Sequence, residues 1–346
     1  MTLEFDESRL DDAAALSTVD TELRRLAAAG ARVRVLGDAA RPVRAGMLAP
    51  DRPRGVVALG AEARLVRAML EPVCPVPFIA WSTGGLPGWV GPLDLVVVLA
   101  SEGSERDLMG AVAEAVRRGA SLVVAANPDS PIAEQAASRS TLVLPVEHSD
   151  PLATVVVTLE LLHEMGLGPA VDHERIAARV DLVAERCSPH RDLASNPAKD
   201  LAVALAEAQP LVWGGSVLAA RAARRIAEAL RRASGRPALS ADADALLPVL
   251  SACAPRDPFR DPFEEDGAPR TCVLVIIDDG STDERVRRDR GTLVSLAEGQ
   301  GVRVCTIASE PTEYLGALDR YVELLQQGRY ASVYLALGLG RGSDEW

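Results

Sequence analysis

The chain has 346 residues, 48% hydrophobic and 25% charged, a balance that allows two folded cores and excludes an intrinsically disordered protein. Its formal net charge is −12 and its arginines are scattered among carboxylates, so it lacks the basic stripe that nucleic acid requires. Its apolar runs fall short of the roughly 20 residues a membrane helix needs, and the acidic start "MTLEFDESRLDD" is unlike a signal peptide, so a cytoplasmic protein without a membrane partner is expected.

In chain order the pattern predicts a helix over 22–30, a short strand at Val33–Leu36 and a Pro/Arg-rich break, "RPVRAGMLAPDRPR". "GVVALG" (55–60) reads as a strand ending in glycine, and "AEARLVRAMLEPV" as a helix. "VPFIAW" (76–81) is a second strand, "STGGLPGWVGP" a loop, and "LDLVVVLA" (93–100) a third strand. The helix that follows has Leu108, Val112, Ala115 and Val116 at helical spacing. "SLVVAAN" (121–127), a short helix, "STLVLPV" and a long helix over 150–165 close the first block.

Residues 166–198 read as a linker around one helix at 174–186, and then the pattern restarts. "PLVWGG" (210–215) is a strand ending in glycines, followed by the long helix "SVLAARAARRIAEALRRASG". "TCVLVIID" (271–278) and "VRVCTIAS" (302–309) are strands on either side of a helix, and a final helix over about 312–326 precedes the apolar "YASVYLALGL". Short apolar strands alternating with helices imply parallel sheets covered on both faces. The expected fold class is therefore α/β, with two doubly wound, flavodoxin-like αβα subdomains. The boundaries are set at 1–50 for an N-terminal extension, 51–165 for the first domain, 166–198 for the linker helix and 199–346 for the second domain. The five cysteines are far apart in sequence with no CxxC pair, so reduced thiols and no metal site are expected.

Three strand-to-helix turns are candidate anion sites, because the amides of a helix's first turn lack partners and the helix dipole is positive there. They are Gly60, the turn Ser101-Glu102-Gly103-Ser104, and Gly214-Gly215-Ser216. A glycine ending a parallel strand is also ordinary turn chemistry, and Ser104 serves equally as a helix cap, so cap and cradle both stand. Glu102 and Glu105 beside the serines would repel a dianion.

The stretches "VVALGAEARL", "LVVVLASEGSERDL", "SLVVAANPDSPIAEQA", "PLVWGGSVLAARAARRIAEAL" and "DRYVELLQQGRYASVYLAL", in this order, resemble the sugar isomerase (SIS) fold. More narrowly, the chain is similar to the bifunctional phosphoglucose/phosphomannose isomerase family. The resemblance implies a hexose phosphate as ligand, no cofactor, a homodimer, and Ser101 and Ser104 at the sugar phosphate; Glu102 and Gly103 depart from the family's turn, which reads more like S-G-N-T. It also implies aldose–ketose isomerisation, in which a glutamate shuttles the proton and a histidine and a lysine handle ring opening.

This chain departs from that set. Where the glutamate is expected stand Arg231, Arg232 and Ser234; Glu228, one turn earlier, is the only carboxylate on that helix and thus the candidate catalytic residue, with a surface ion pair as the alternative. All four histidines (His148, His163, His173 and His190) precede the expected position, and the single lysine, Lys199, is far from the C-terminal helix that should carry it. A non-catalytic sugar-phosphate sensor or partner subunit is therefore the alternative function. A remote second alternative is a glycosyltransferase, from "DDGSTD" at 278–283, but too little chain follows it and no later Asp-x-Asp appears. The segment "RDPFRDPFEEDGAPR" (256–270) reads as a loop anchored by Phe259 and Phe263, available for a subunit contact.

Overall fold

The computed structural model describes residues 4–46, 52–60, 62–82, 84–101, 106–146, 150–253, 271–310 and 314–345. The chain opens with helices α1 (Ala13–Ser17), α2 (Asp20–Ala27) and α3 (Ala29–Ala45). The first sheet region holds β1 (Val56–Gly60), α4 (Ala63–Leu70), β2 (Phe78–Ala80), β3 (Leu95–Ala100), α5 (Arg106–Arg117), β4 (Ser121–Ala126), α6 (Pro131–Gln135), β5 (Thr141–Pro145) and α7 (Pro151–Glu164). After α8 (His173–Arg186) and α9 (Pro197–Ala204) come β6 (Gln209–Gly214), α10 (Val217–Ser234), β7 (Leu239–Ser240) and α11 (Ala243–Ser251). The chain ends with β8 (Cys272–Asp278), α12 (Glu284–Gly299), β9 (Arg303–Ala308) and α13 (Ala317–Gly338).

The expected α/β class holds, with two parallel sheets. Residues Ala29–Ala178 form one compact unit, whose sheet has the order β2-β1-β3-β4-β5. All six residues of β3 are buried, as a strand covered on both faces must be. On one face Val57, Leu59, Val96, Val98, Leu122 and Val124 pack against Ala111, Val112 and Ala115 of α5. Helices α3, α4 and α7 belong to the other side, where α7 is apolar around almost its whole circumference.

The second unit joins the first 28 residues to Arg179–Trp346, around the sheet β7-β6-β8-β9. Its α11 and α12 pack through Leu246, Leu250, Leu293 and Ala297 on Leu211, Trp213, Leu274 and Ile276. Opposite them, α10 turns an alanine-rich stripe with Ile226 and Leu230 toward the interior and meets α13. Gly328 of α13 makes that contact possible, since a Cβ there would lie 2.4 Å from Ile226 Cγ1. The N-terminal segment is tied to the end of α13: the Asp6 amide donates to the Gly338 carbonyl (2.8 Å), and Arg9 Nε to that of Leu337 (2.8 Å).

Several expectations are corrected. Residues 33–36 are helical: Val33, Leu36, Gly37 and Ala40 repeat at the helical period and are all buried, which outweighs the short Val-x-Val alternation. The last helix runs on through the apolar "YASVYLALG" instead of stopping near 326, because in a helix buried on nearly all sides no exposed polar face marks its course. As compact units, α1 and α2 go with the second sheet and the division falls within α8. Cys253 and Cys272 form a disulfide, with Cα atoms 6.3 Å apart; sequence separation did not show that the end of α11 adjoins the start of β8. The expected loop at 256–270 lies outside the described residues.

Lys199 is fully buried. Its Nζ donates to Asp11 Oδ1 (2.6 Å) and to the carbonyls of Arg191 (2.7 Å) and Pro189 (3.1 Å), and sits 5.5 Å from the centre of the Tyr334 ring. This spends all three protons of the ammonium, so the lysine fixes structure and is unavailable for chemistry. Removing its counter-charge strands a buried cation, so Asp11→Ala should cost about 3 kcal/mol. Lys199→Met, which leaves only the half-exposed Asp11 behind, should cost less, and denaturant unfolding of both variants checks the order.

Candidate functional site

The carboxyl edge of a doubly wound parallel sheet collects the first turns of its helices, and in the order β2-β1-β3-β4-β5 the chain's direction of winding reverses between β1 and β3. Gly60 ends β1 there with φ +106°, and a Cβ on it would lie 2.2 Å from the Leu99 carbonyl oxygen of β3. Only glycine meets both demands. Its first role is thus to let two strands meet, and Gly60→Ala should lower stability by more than about 1 kcal/mol, read by thermal unfolding.

A cavity of ≈ 370 Å³ opens at this edge. Leu59 and Gly60 of β1, Ala63 and Arg64 of α4, Ala80 to Ser82 at the end of β2, and Asp107, Leu108 and Ala111 of α5 form most of its wall. Gly84 completes it, in a loop held from α5: Glu114 accepts from the Leu86 amide (3.3 Å), and Arg118 donates to the Pro87 carbonyl (2.7 Å). The Arg118 guanidinium beside Glu114 holds that carboxyl below the usual range, so the brace stays charged at neutral pH.

Ser101 is half-buried at the end of β3, on the same edge but outside the cavity wall. Gly103 and Ser104, and with them the choice between cap and cradle, lie outside the described residues. Arg64, Trp81 and Asp107 were missed in the sequence. A signal was present for Arg64: it stands in the first turn of a helix, where the dipole disfavours a cation.

In the second unit Gly214, Gly215 and Ser216 also stand at a strand-to-helix turn, but it is taken. Ser216 Oγ caps α10 by accepting from the Ala219 amide (3.0 Å) and hydrogen-bonds the Asp279 carboxylate. A carboxylate of the chain's own thus occupies the mouth that a phosphate would need. Gly214 and Gly215 are packing positions, where a Cβ would strike the backbone of Ala219 and the ring of Trp213. The "DDGSTD" stretch is spent on such bonds: Asp278 pairs with Arg290, and the Asp279 carbonyl accepts from Arg320 (2.9 Å). A larger cavity, ≈ 620 Å³, lies along Thr271, Cys272, Val302 and Arg303, at the opposite, amino ends of β8 and β9.

Glu228 lies on the outer side of α10, paired with Arg225 (3.1 Å) and Arg232 (3.4 Å), its side chain 42% exposed. It is roughly 16 Å along the helix from Val217 at about 1.5 Å per residue. The surface ion pair is what the structure displays. Glu228→Gln should leave stability within about 0.5 kcal/mol in denaturant unfolding. His173 is buried with Nδ1 2.7 Å from Glu160 Oε1, His163 Nδ1 lies 3.0 Å from the Gly168 carbonyl, and His190 is exposed. His148 lies outside the described residues. Among the described residues no cluster of His, Cys, Asp or Glu could hold a metal ion, and no helix is long and apolar enough to cross a membrane.

Residues 194–344 match the family model of the bacterial phospho-glucose isomerase C-terminal SIS domain. That stretch is similar to a SIS domain of this kind, and the fold of the chain is of the SIS type seen in phosphosugar isomerases. A glucose-6-phosphate isomerase like protein from Thermus thermophilus matches with TM-score 0.55 and 17% identity, over 96% of this chain and 94% of the other. The C-terminal domain of glucosamine-fructose-6-phosphate aminotransferase from Francisella tularensis matches with TM-score 0.59 and 11% identity, over 89% and 95%. At these identities the likeness concerns the fold. A search of the curated proteins finds none that matches.

Proposed function

We propose that the chain binds a hexose 6-phosphate at the carboxyl edge of its first sheet and acts as a phosphosugar-binding SIS protein without isomerase turnover. The observation that carries the binding half is the ≈ 370 Å³ cavity between β1, β2 and the first turns of α4 and α5, which offers a cation, Arg64, and an aromatic surface, Trp81. The cavity lies at the carboxyl edge, on the β1 side of the place where the winding reverses, next to where sheets of this winding take their ligands.

The second half of the proposal rests on where the titratable groups stand. Aldose–ketose isomerisation moves a proton between neighbouring carbons, and a positioned acid or base contributes about 10²–10⁴ in rate. Lys199 is sealed by three acceptors, Glu228 is a surface ion pair, and His173 is held by Glu160. Binding survives such losses because the group that holds a phosphate differs from the group that moves a proton.

Thermal unfolding with glucose, fructose or mannose 6-phosphate, combined with an assay for their interconversion, tests both halves. At a ligand concentration 100 times Kd the expected gain in stability is about 2.7 kcal/mol, with no interconversion. Stabilisation with turnover would overturn the non-catalytic half. A Tm unmoved by all three sugars would overturn the reading as a whole.

A further inference from the structure

We propose that Arg64 is the residue that selects the ligand's anionic group, and that Asp107 on the wall of the same cavity restricts the ligand to one such group. The proposal rests on the reading that this cavity receives a phosphosugar and says which residues set its specificity.

Arg64 is placed where it does little for the fold. It is exposed in the first turn of α4, at the positive end of the helix dipole, where an acidic residue would be the stabilising choice. Other arginines of this unit are spent on carboxylates: Arg54 on Asp94, Arg67 on Glu71, Arg118 on Glu114 and Arg32 on Asp150. Arg64 has no ion pair among the described residues, and among them it is the one cation that lines the cavity. A guanidinium is also the fork that meets a phosphate through two parallel N–H bonds. Its position four residues after Gly60 brings it to the edge where first-turn amides point outward.

Asp107 has an ordinary structural use, since a carboxylate in the first turn of α5 suits the dipole. It nevertheless faces the same space, so the described lining carries one positive and one negative side chain. A ligand with one anionic head and an uncharged, hydroxyl-rich body fits that balance, with hydroxyl groups donating to Asp107. A second phosphate would meet the carboxylate. Trp81 supplies the remaining surface: its ring offers an apolar face for the C–H side of a sugar, and its buried Nε1–H has no acceptor among the described residues.

Calorimetric titration of the full chain tests this with mannose 6-phosphate, unphosphorylated mannose and fructose 1,6-bisphosphate as probes. Wild type should bind the monophosphate, leave mannose unbound and take the bisphosphate no more tightly. Arg64→Gln should lose about 10- to 100-fold in affinity for the monophosphate while its melting curve without ligand is unchanged. Arg64→Lys should regain part of that loss, and Asp107→Asn should improve binding of the bisphosphate. Wild-type affinity retained by Arg64→Gln would overturn the assignment and leave the phosphosugar reading intact. Tighter wild-type binding of the bisphosphate would overturn the role of Asp107. Failure of wild type to bind the monophosphate would remove the phosphosugar reading, and this inference with it.

Discussion

The fold of the first unit depends on how closely β1 approaches β3 at its carboxyl end. Gly60 occupies a left-handed conformation with the Leu99 carbonyl where any side chain would begin. This contact closes the floor of the sheet at the point where its winding reverses, and it leaves the space above to be walled by α4, α5 and the end of β2. A bulkier residue there would push the strands apart and deform the same wall that carries Arg64 and Asp107. Stability and the site are therefore linked through one backbone position.

The two units share a plan and differ in how they treat it. In the first, the edge of the sheet opens into a cavity whose cation has no carboxylate partner among the described residues. In the second, the equivalent strand-to-helix turn is filled from within by Asp279, and the surrounding charges are paired off. The second unit is held instead by contacts of a structural kind: small residues between α10 and α13, the N-terminal segment clasping the end of α13, and the buried Lys199–Asp11 pair.

Much of this was legible in the residues themselves. Apolar strands covered on both faces announce themselves as runs such as "LVVVLA", and the glycines that close β1 and β6 mark where strands give way to helices. The surface pairing of Glu228 follows from arginines three and four residues away along one helix. Residues whose roles depend on distant neighbours were not legible. Nothing local says that Lys199 meets Asp11 across 188 positions, or that Cys253 reaches Cys272. Val33–Leu36 alone is ambiguous, because four residues cannot distinguish two periods, whereas 33, 36, 37 and 40 together can. The residue types of the serine turn are ones that phosphate sites use, whereas by residue type Arg64 is one arginine among many. Its meaning lies in standing apart from the carboxylates described around it, which only their placement reveals.

The central claim is that an anionic sugar sits at the mouth of the first sheet against Arg64. A crystal structure of the chain grown with mannose 6-phosphate examines it most directly. The account predicts electron density for the phosphate against the Arg64 guanidinium, with the sugar body toward Trp81 and Asp107. Density for the phosphate at another place on the molecule, with the cavity between β1 and β2 empty, would contradict it.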